Sequence, residues 1–320
     1  MRIKLLSALF FLLLVNLPAN AQAADHPLAG IPLRSIGPAL TSGRVSDFAF
    51  HPVKKQTFYV SFASGGVWKT TNNGITWTPV FDNEGSFAIG VVELDPNNPN
   101  IVWVGTGENN AQRSVGFGDG VYKSVDGGKS WKNMGLKDSG HISMIRFHPG
   151  DSNTVYVAAQ GPLWNAGGDR GLYRSTDGGD NWERILDIDE NTGINEFVID
   201  PADPDVIVAS SYQRRRHVWT LINGGPGGGV HKTTDGGKSW RKIAGGLPSG
   251  DLGRIGLAAA PSAPNMIYAI VEASDKDQGV YRSTDFGESW DKRSDHMTQS
   301  PQYYNELYVD PKNPDRVYSV

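Results

Sequence analysis

Ser124-Val125-Asp126-Gly127-Gly128-Lys129-Ser130-Trp131 decides the fold, because the chain writes its pattern, Ser/Thr-x-Asp/Asn-x-Gly-x-x-Trp, five times. The other copies are Thr70–Trp77, Ser175–Trp182, Thr233–Trp240 and Ser283–Trp290, and successive tryptophans lie 54, 51, 58 and 50 residues apart. A period near fifty means that one supersecondary unit is copied along the chain. The spelling has a local physical reason. Asp126, like Asp177, Asp235 and Asp285, can accept hydrogen bonds from backbone N–H groups two or three residues on and so close a turn. Asn72 in the first copy keeps the acceptor and loses the charge. Gly128 and Gly179 tolerate positive φ. The rings of Trp77, Trp131, Trp182, Trp240 and Trp290 are expected to lie between neighbouring units. These acids are therefore read as turn formers rather than catalysts.

Working outward, Gly-apolar-aromatic-basic precedes each octet, as in Gly120-Val121-Tyr122-Lys123 and Gly171-Leu172-Tyr173-Arg174; the fourth copy has His231 in place of the aromatic ring. Earlier in each unit an alternating run ends in a proline turn, as in Ile145-Arg146-Phe147-His148-Pro149. A second β-rich run follows that turn, and a short fourth run follows each octet. Each unit is thus four short strands, A to D, separated by turn signals. Repeated four-stranded units of this length are the signature of β-propeller blades. The 39 Gly and 19 Pro supply the turns. The expected fold is all-β: five complete blades at about 42–85, 86–138, 139–190, 191–250 and 251–299, and the start of a sixth at 300–320. Strand A of that sixth unit begins near Tyr304, and Leu33–Pro38 reads as a strand D without A, B or C before it. The reading is therefore an open arc taken from a ring of seven or more blades.

The octet resembles the Asp-box, or BNR repeat, of sialidases, sortilin-type propellers, xyloglucan-cleaving glycoside hydrolases and photosystem II stability factors. The resemblance covers roughly residues 33–320. It implies a propeller that either holds a peptide or protein segment, or acts on carbohydrate. One feature of it speaks against the hydrolase. Xyloglucan-cleaving propellers carry a catalytic Asp just before a Gly-Gly-aliphatic-aromatic-basic run; here that run is Gly65–Lys69, and the Asp position holds Ala63. No sialidase-type arginine motif is recognisable.

Arg2 and Lys4, an apolar run from Leu5 to Leu17 and Ala19-Asn20-Ala21 read as a secretory signal over 1–21, with a linker over 22–32. The run is too short to span a bilayer, so no transmembrane segment is expected after cleavage. With no cysteine, neither a disulfide framework nor lipoprotein attachment is available. The expected location is secreted, periplasmic or at the cell surface of a bacterium. Cleavage leaves 28 basic and 34 acidic residues, a net charge of −6, which argues against a nucleic-acid partner. The seven histidines are scattered and form no metal-ligand spacing, and Gly105-x-Gly107 opens no helix, so neither metal nor cofactor is expected.

Blade topology places the short, uniform A–B and C–D turns on one face and the long, irregular B–C and D–A segments on the other. Binding residues gather on variable loops over a rigid scaffold, so the long-loop face is the candidate site. Glu108–Asp119 offers Glu108, Asn110 and Arg113, or else is a loop whose polar groups hold one another. Gly161–Arg170 brings Trp164 and Arg170, the indole either stacking on a ligand or folding back on its blade. Tyr212–Gly228 carries Arg214, Arg215 and Arg216 with His217 and Trp219, an anion site or a salt-bridged surface. Asp47, Glu196 and Glu306 fall in one strand-A column that approaches the central channel. Glu108, Asp119 and Glu306 are the acids a hydrolase reading would use. The partner is expected to be a peptide, a protein or a carbohydrate, with non-catalytic binding as the leading reading and glycoside hydrolysis as the alternative.

Overall fold

The computed structural model describes residues 43–320 except 275 and 304. The signal segment, the linker and the strand expected over Leu33–Pro38 lie outside the described residues. Five antiparallel sheets follow in sequence, each in the order A–B–C–D, and a two-stranded sheet ends the chain. Their A strands are Val45–Phe50, Ile89–Leu94, Ile142–His148, Thr192–Ile199 and Ile255–Ala259, with Leu307–Val309 in the sixth. The A strands of successive sheets pack side by side, so A is innermost and D outermost. The one helical element among the described residues is the single turn Lys137–Ser139.

The repeated motifs are the joints of this assembly. Ser124 Oγ accepts from Gly128 N at 2.8 Å and donates to Asp126 Oδ1. Asp126 Oδ1 also accepts from Lys129 N and Ser130 N, three and four residues on rather than two or three. The turn formed this way is grasped by the blade before it. Lys69 Nζ donates to Gly127 O at 2.9 Å, Lys123 Nζ to Gly178 O at 2.9 Å and Arg174 Nη1 to Gly236 O at 2.6 Å. In return Trp131 Nε1 donates back to Val80 O and Trp182 Nε1 to Met134 O. Between blades one and two and between two and three, the basic residue of one unit and the indole of the next therefore fix the step. In the fifth blade Trp290 Nε1 donates to Gly287 O of its own turn, and Lys232 pairs with Glu288 instead.

Strand A carries a second regularity. In blades one to four its register slips by one residue at Ser46, Gly90, Ser143 and Asn195. Such bulges re-aim the next side chain. Here the next residues are Asp47, Val91, Met144 and Glu196, all of which line the central channel. Gly90 is required at its bulge, since a Cβ there would stand 2.0 Å from Ile142 O.

Candidate functional site: the central channel and its two ends

The A strands of all six sheets line a cavity of about 970 Å³. Its wall mixes acids with rings: Asp47, Glu196 and Glu306 beside Phe48, Phe197 and Tyr308. The strand-A column of acids thus does reach the channel. Asp47 accepts from Phe48 N and from Val92 N at 3.1 Å; burial pushes its carboxyl up to about 7. Glu196 accepts from Leu257 N at 2.6 Å; burial, then the neighbouring Glu306 carboxylate, pushes it up to about 8. Arg146 stands among these acids, donating to Glu93 Oε2 at 2.7 Å, and burial raises Glu93 as well. Glu306 itself lies 3.4 Å from Arg254 Nη2 and accepts from the Tyr308 hydroxyl.

At the long-loop end the channel meets Glu108, Asn109 and Asn110. This loop of blade two is held by the other blades. The Glu108 carbonyl is met by His141 Nδ1 at 2.8 Å, Asn109 O by Arg254 Nη1 at 3.0 Å and Asn110 O by Arg214 Nη1 at 2.6 Å. Ala111 O accepts from both Nε and Nη2 of Arg216, and Ala111 N donates to Gln302 O. Glu108 Oε1 closes the arrangement by accepting from Arg44 and Asn110 Nδ2. Four consecutive carbonyls are therefore each capped by a side chain of another blade. Buried backbone acceptors need such partners, and these arginines and His141 are their source.

The residues expected to bind a ligand on this face are accordingly placed in several ways. Glu108, Asn110, Arg214 and Arg216 are brought together, buried, and turned inward on the loop. Arg170 is also buried, donating to the carbonyls of Gly167, Gln160, Pro162 and Asn165 of its own segment. Arg215 donates to Asn191 Oδ1. Burial lowers Arg170 to about 10 and Arg214 to about 9. Trp164 packs against the small cluster of Ala111, Val115 and Leu163, so it reaches the loop of blade two as well as its own segment. Arg113 alone of the set is exposed. Asp119 is taken up by its own blade, accepting from the Tyr122 hydroxyl at 2.6 Å. The segment read as the loop Tyr212–Gly228 begins differently: strand B runs on through Arg216 and turns into a hairpin with Leu221–Asn223. Alternation along this strand places Arg214 and Arg216 inward and Arg215 on the other side. At its tip His217 and the exposed Trp219 stack at 5.4 Å.

The opposite end is formed where the A strands run into their proline turns. Phe50, Pro149, Ile199, Ala259 and Val309 line the channel there, and Phe50 is half exposed. Sequence reasoning passed over this end because its turns are so uniform. Phe48 and Phe50, one strand face of apolar rings, were the available signal.

Five four-stranded Asp-box sheets and a two-stranded sixth along one lined channel define a β-propeller-type protein. The family model described as "Sortilin, neurotensin receptor 3" matches residues 119–245 and, overlapping, 170–320. The chain belongs to the Sortilin-Vps10 family. It is also similar to xyloglucanase Xgh74A of Acetivibrio thermocellus, at 26% identity over 243 residues, 67% of this chain and 26% of that one. A probable oligoxyloglucan-reducing end-specific xyloglucanase of Neosartorya fischeri is 27% identical over 237 residues, 71% of this chain and 26% of its own. The chain thus spans about a quarter of the length of these curated relatives. Among solved structures, the GH74 enzyme of Niastella koreensis superposes with a TM-score of 0.63 at 21% identity, over 85% of this chain and 43% of that one. This likeness is one of fold.

Proposed function

We propose that this protein is a secreted binding module that holds a segment of peptide or protein in its central channel, without chemistry of its own. The observation that carries the reading is the channel wall: strand A of every sheet contributes to one cavity of about 970 Å³ that mixes aromatic rings with carboxyls. A concave site, mostly apolar and with a few placed polar groups, is the usual form of a ligand pocket. Membership of the Sortilin-Vps10 family supports the same reading. The test is a binding screen of immobilised peptides against the purified chain, repeated with Phe197→Ala and Tyr308→Ala. Binding that survives both changes undiminished would place the partner elsewhere.

A carbohydrate-active reading has its own support. Glu196 and Glu306 are electrostatic neighbours in the channel, and burial holds Glu196 protonated near neutrality, as a general acid must be. The xyloglucanase relatives point the same way, whereas Ala63, in the position of their family's catalytic Asp, points against. Release of reducing ends from xyloglucan that is abolished by Glu196→Gln would favour this second reading over the first.

A further inference from the structure

We propose that the channel takes its occupant through the Asp-box face, and that this occupant is the cationic end of an extended chain, an inference that rests on the peptide-binding reading above. The direction follows from the two ends. At the long-loop end Glu108, Asn109 and Asn110 lie against the channel, and the carbonyls of residues 108–111 are tied to His141, Arg254, Arg214 and Arg216. Opening there would leave buried carbonyls and guanidinium groups unpaired together, at a cost for each. At the Asp-box end the wall is Phe50, Ile199, Ala259 and Val309, apolar side chains that, among the described residues, have no hydrogen bonds to break.

The charge follows from the groups that face one another midway. Asp47 comes from blade one, Glu93 from blade two, Arg146 from blade three, Glu196 from blade four, Arg254 from blade five, and Glu306 and Tyr308 from the sixth sheet. Four carboxyls share two guanidinium groups, and Arg254 is engaged with the loop. The surplus is met by protons, since burial raises Asp47 to about 7 and Glu196 to about 8. An ammonium or guanidinium group entering between them replaces those protons and satisfies the carboxylates. The rings of Phe48, Phe50, Phe197 and Tyr308 then suit an apolar stretch behind the charge, or the face of the cation itself. A chain end fits better than a through-running segment because one mouth is taken by the protein's own loop.

The experiment uses a positional-scanning hexapeptide library with free or acetylated amino ends, bound to the full chain at about pH 6 and about pH 8, on either side of the ordinary histidine range. Enrichment of Lys, Arg or a free amino end is expected, with tighter binding at the higher pH. Glu196→Gln should weaken it about tenfold, the worth of one modest charge contact. Ala259→Trp, which narrows the Asp-box mouth, should block binding where Ala259→Ser does not, and Arg113→Glu on the long-loop face should change nothing. All variants are checked by melting. Hexapeptides that bind without cationic preference, or that are lost in Arg113→Glu and kept in Ala259→Trp, overturn this inference and leave the peptide reading standing. If no hexapeptide binds the unaltered chain, both fall.

Discussion

The two ends of the channel spend their sequence differently. On the Asp-box end the same residues make the same bonds blade after blade: Ser124 and Ser175 close their turns on Gly128 N and Gly179 N at an identical 2.8 Å. Lys69 and Lys123 reach the next turn in the same way. On the long-loop end the bonds converge on one loop instead, where His141, Arg254, Arg214 and Arg216 from three other blades each meet a different carbonyl. Regular spelling therefore marks joints between blades, which any repeat needs. Irregular, charged spelling marks a single keystone, needed once. Polar variety on a loop face is thus not in itself a ligand site. Buried backbone can claim it first.

The largest effect expected from this contrast belongs to the joints. Trp290 is 4% exposed and packs with Val208 and Val230 of the preceding blade, whereas Trp77 is 39% exposed and meets chiefly Phe58, edge-on at 5.4 Å. Trp290→Ala should cost about 3–5 kcal/mol through a lost ring and an unfilled cavity. Trp77→Ala should cost well under half of that. Chemical denaturation of the two variants side by side measures the difference; equal losses would mean that the octet's ring acts within its own turn and not between blades.

Next comes the keystone. Arg254→Met keeps the apolar stem and removes the donor to Asn109 O, leaving a buried acceptor at a cost of about 1–3 kcal/mol. Because Arg254 reaches only this loop and the adjoining Gln302–Glu306 segment, hydrogen exchange should quicken at Ala111 N, which donates to Gln302 O, while strand amides such as Val157 N stay protected. Uniform quickening across the sheets would make Arg254 a general core residue and dissolve the contrast between the ends.

A smaller effect, and one of opposite sign at the two sites, is expected with pH. Hydrogen bonds from Asn181, then Ser175, hold Asp177 down at about 2, and those from Ser239 and Thr233 hold Asp235 at about 2. A carboxyl lowered on folding stabilises above its unfolded value near 3.8, and that contribution disappears as pH falls towards 2. Asp47 and Glu196 are raised to about 7 and about 8. Their protonated forms favour the fold fully below the unfolded values, and this is lost as pH rises through 7 and 8. Melting temperature should therefore fall on both sides of a maximum in the mildly acidic range. Glu196→Gln should flatten the alkaline limb and spare the acid one. An alkaline limb that Glu196→Gln leaves untouched would assign it to other groups.

How far the fold could be read in advance follows from the same distinction. Five octets, the Gly-apolar-aromatic-basic runs and the proline turns are local rules, so strand order and blade number were legible. The strand-A column of Asp47, Glu196 and Glu306 was legible too, because the proline turns supply a common register. What was not legible is where Arg214 and Arg216 go. Their partners, Asn110 O and Ala111 O, are more than a hundred residues away in the chain, and no periodicity reports a contact made once. The bulges at Ser46, Gly90, Ser143 and Asn195 left only the faint trace of small or short residues. The run Tyr212–Arg216 reads as a loop because the segment as far as Gly228 is long and turns glycine-rich. It is a strand because its backbone finds partners, first in Thr192–Gly193 and then in Leu221–Asn223.

The smallest expected effect is on the exposed rim of the long-loop end. Arg113 shares its segment with Asn110 and Ala111 but stands exposed, whereas Trp164 is part of the small apolar cluster with Ala111, Val115 and Leu163. Surface changes away from caps, cores and networks usually stay within about 0.5 kcal/mol, so Arg113→Ala should leave melting unchanged. Trp164→Ala removes a partly buried ring from that cluster and should cost more, about 1–2 kcal/mol at a site that is only half closed to water. The order of the two is the decisive quantity, and paired thermal melts give it. If Arg113→Ala were the more costly, the guanidinium would be serving the keystone like its buried counterparts.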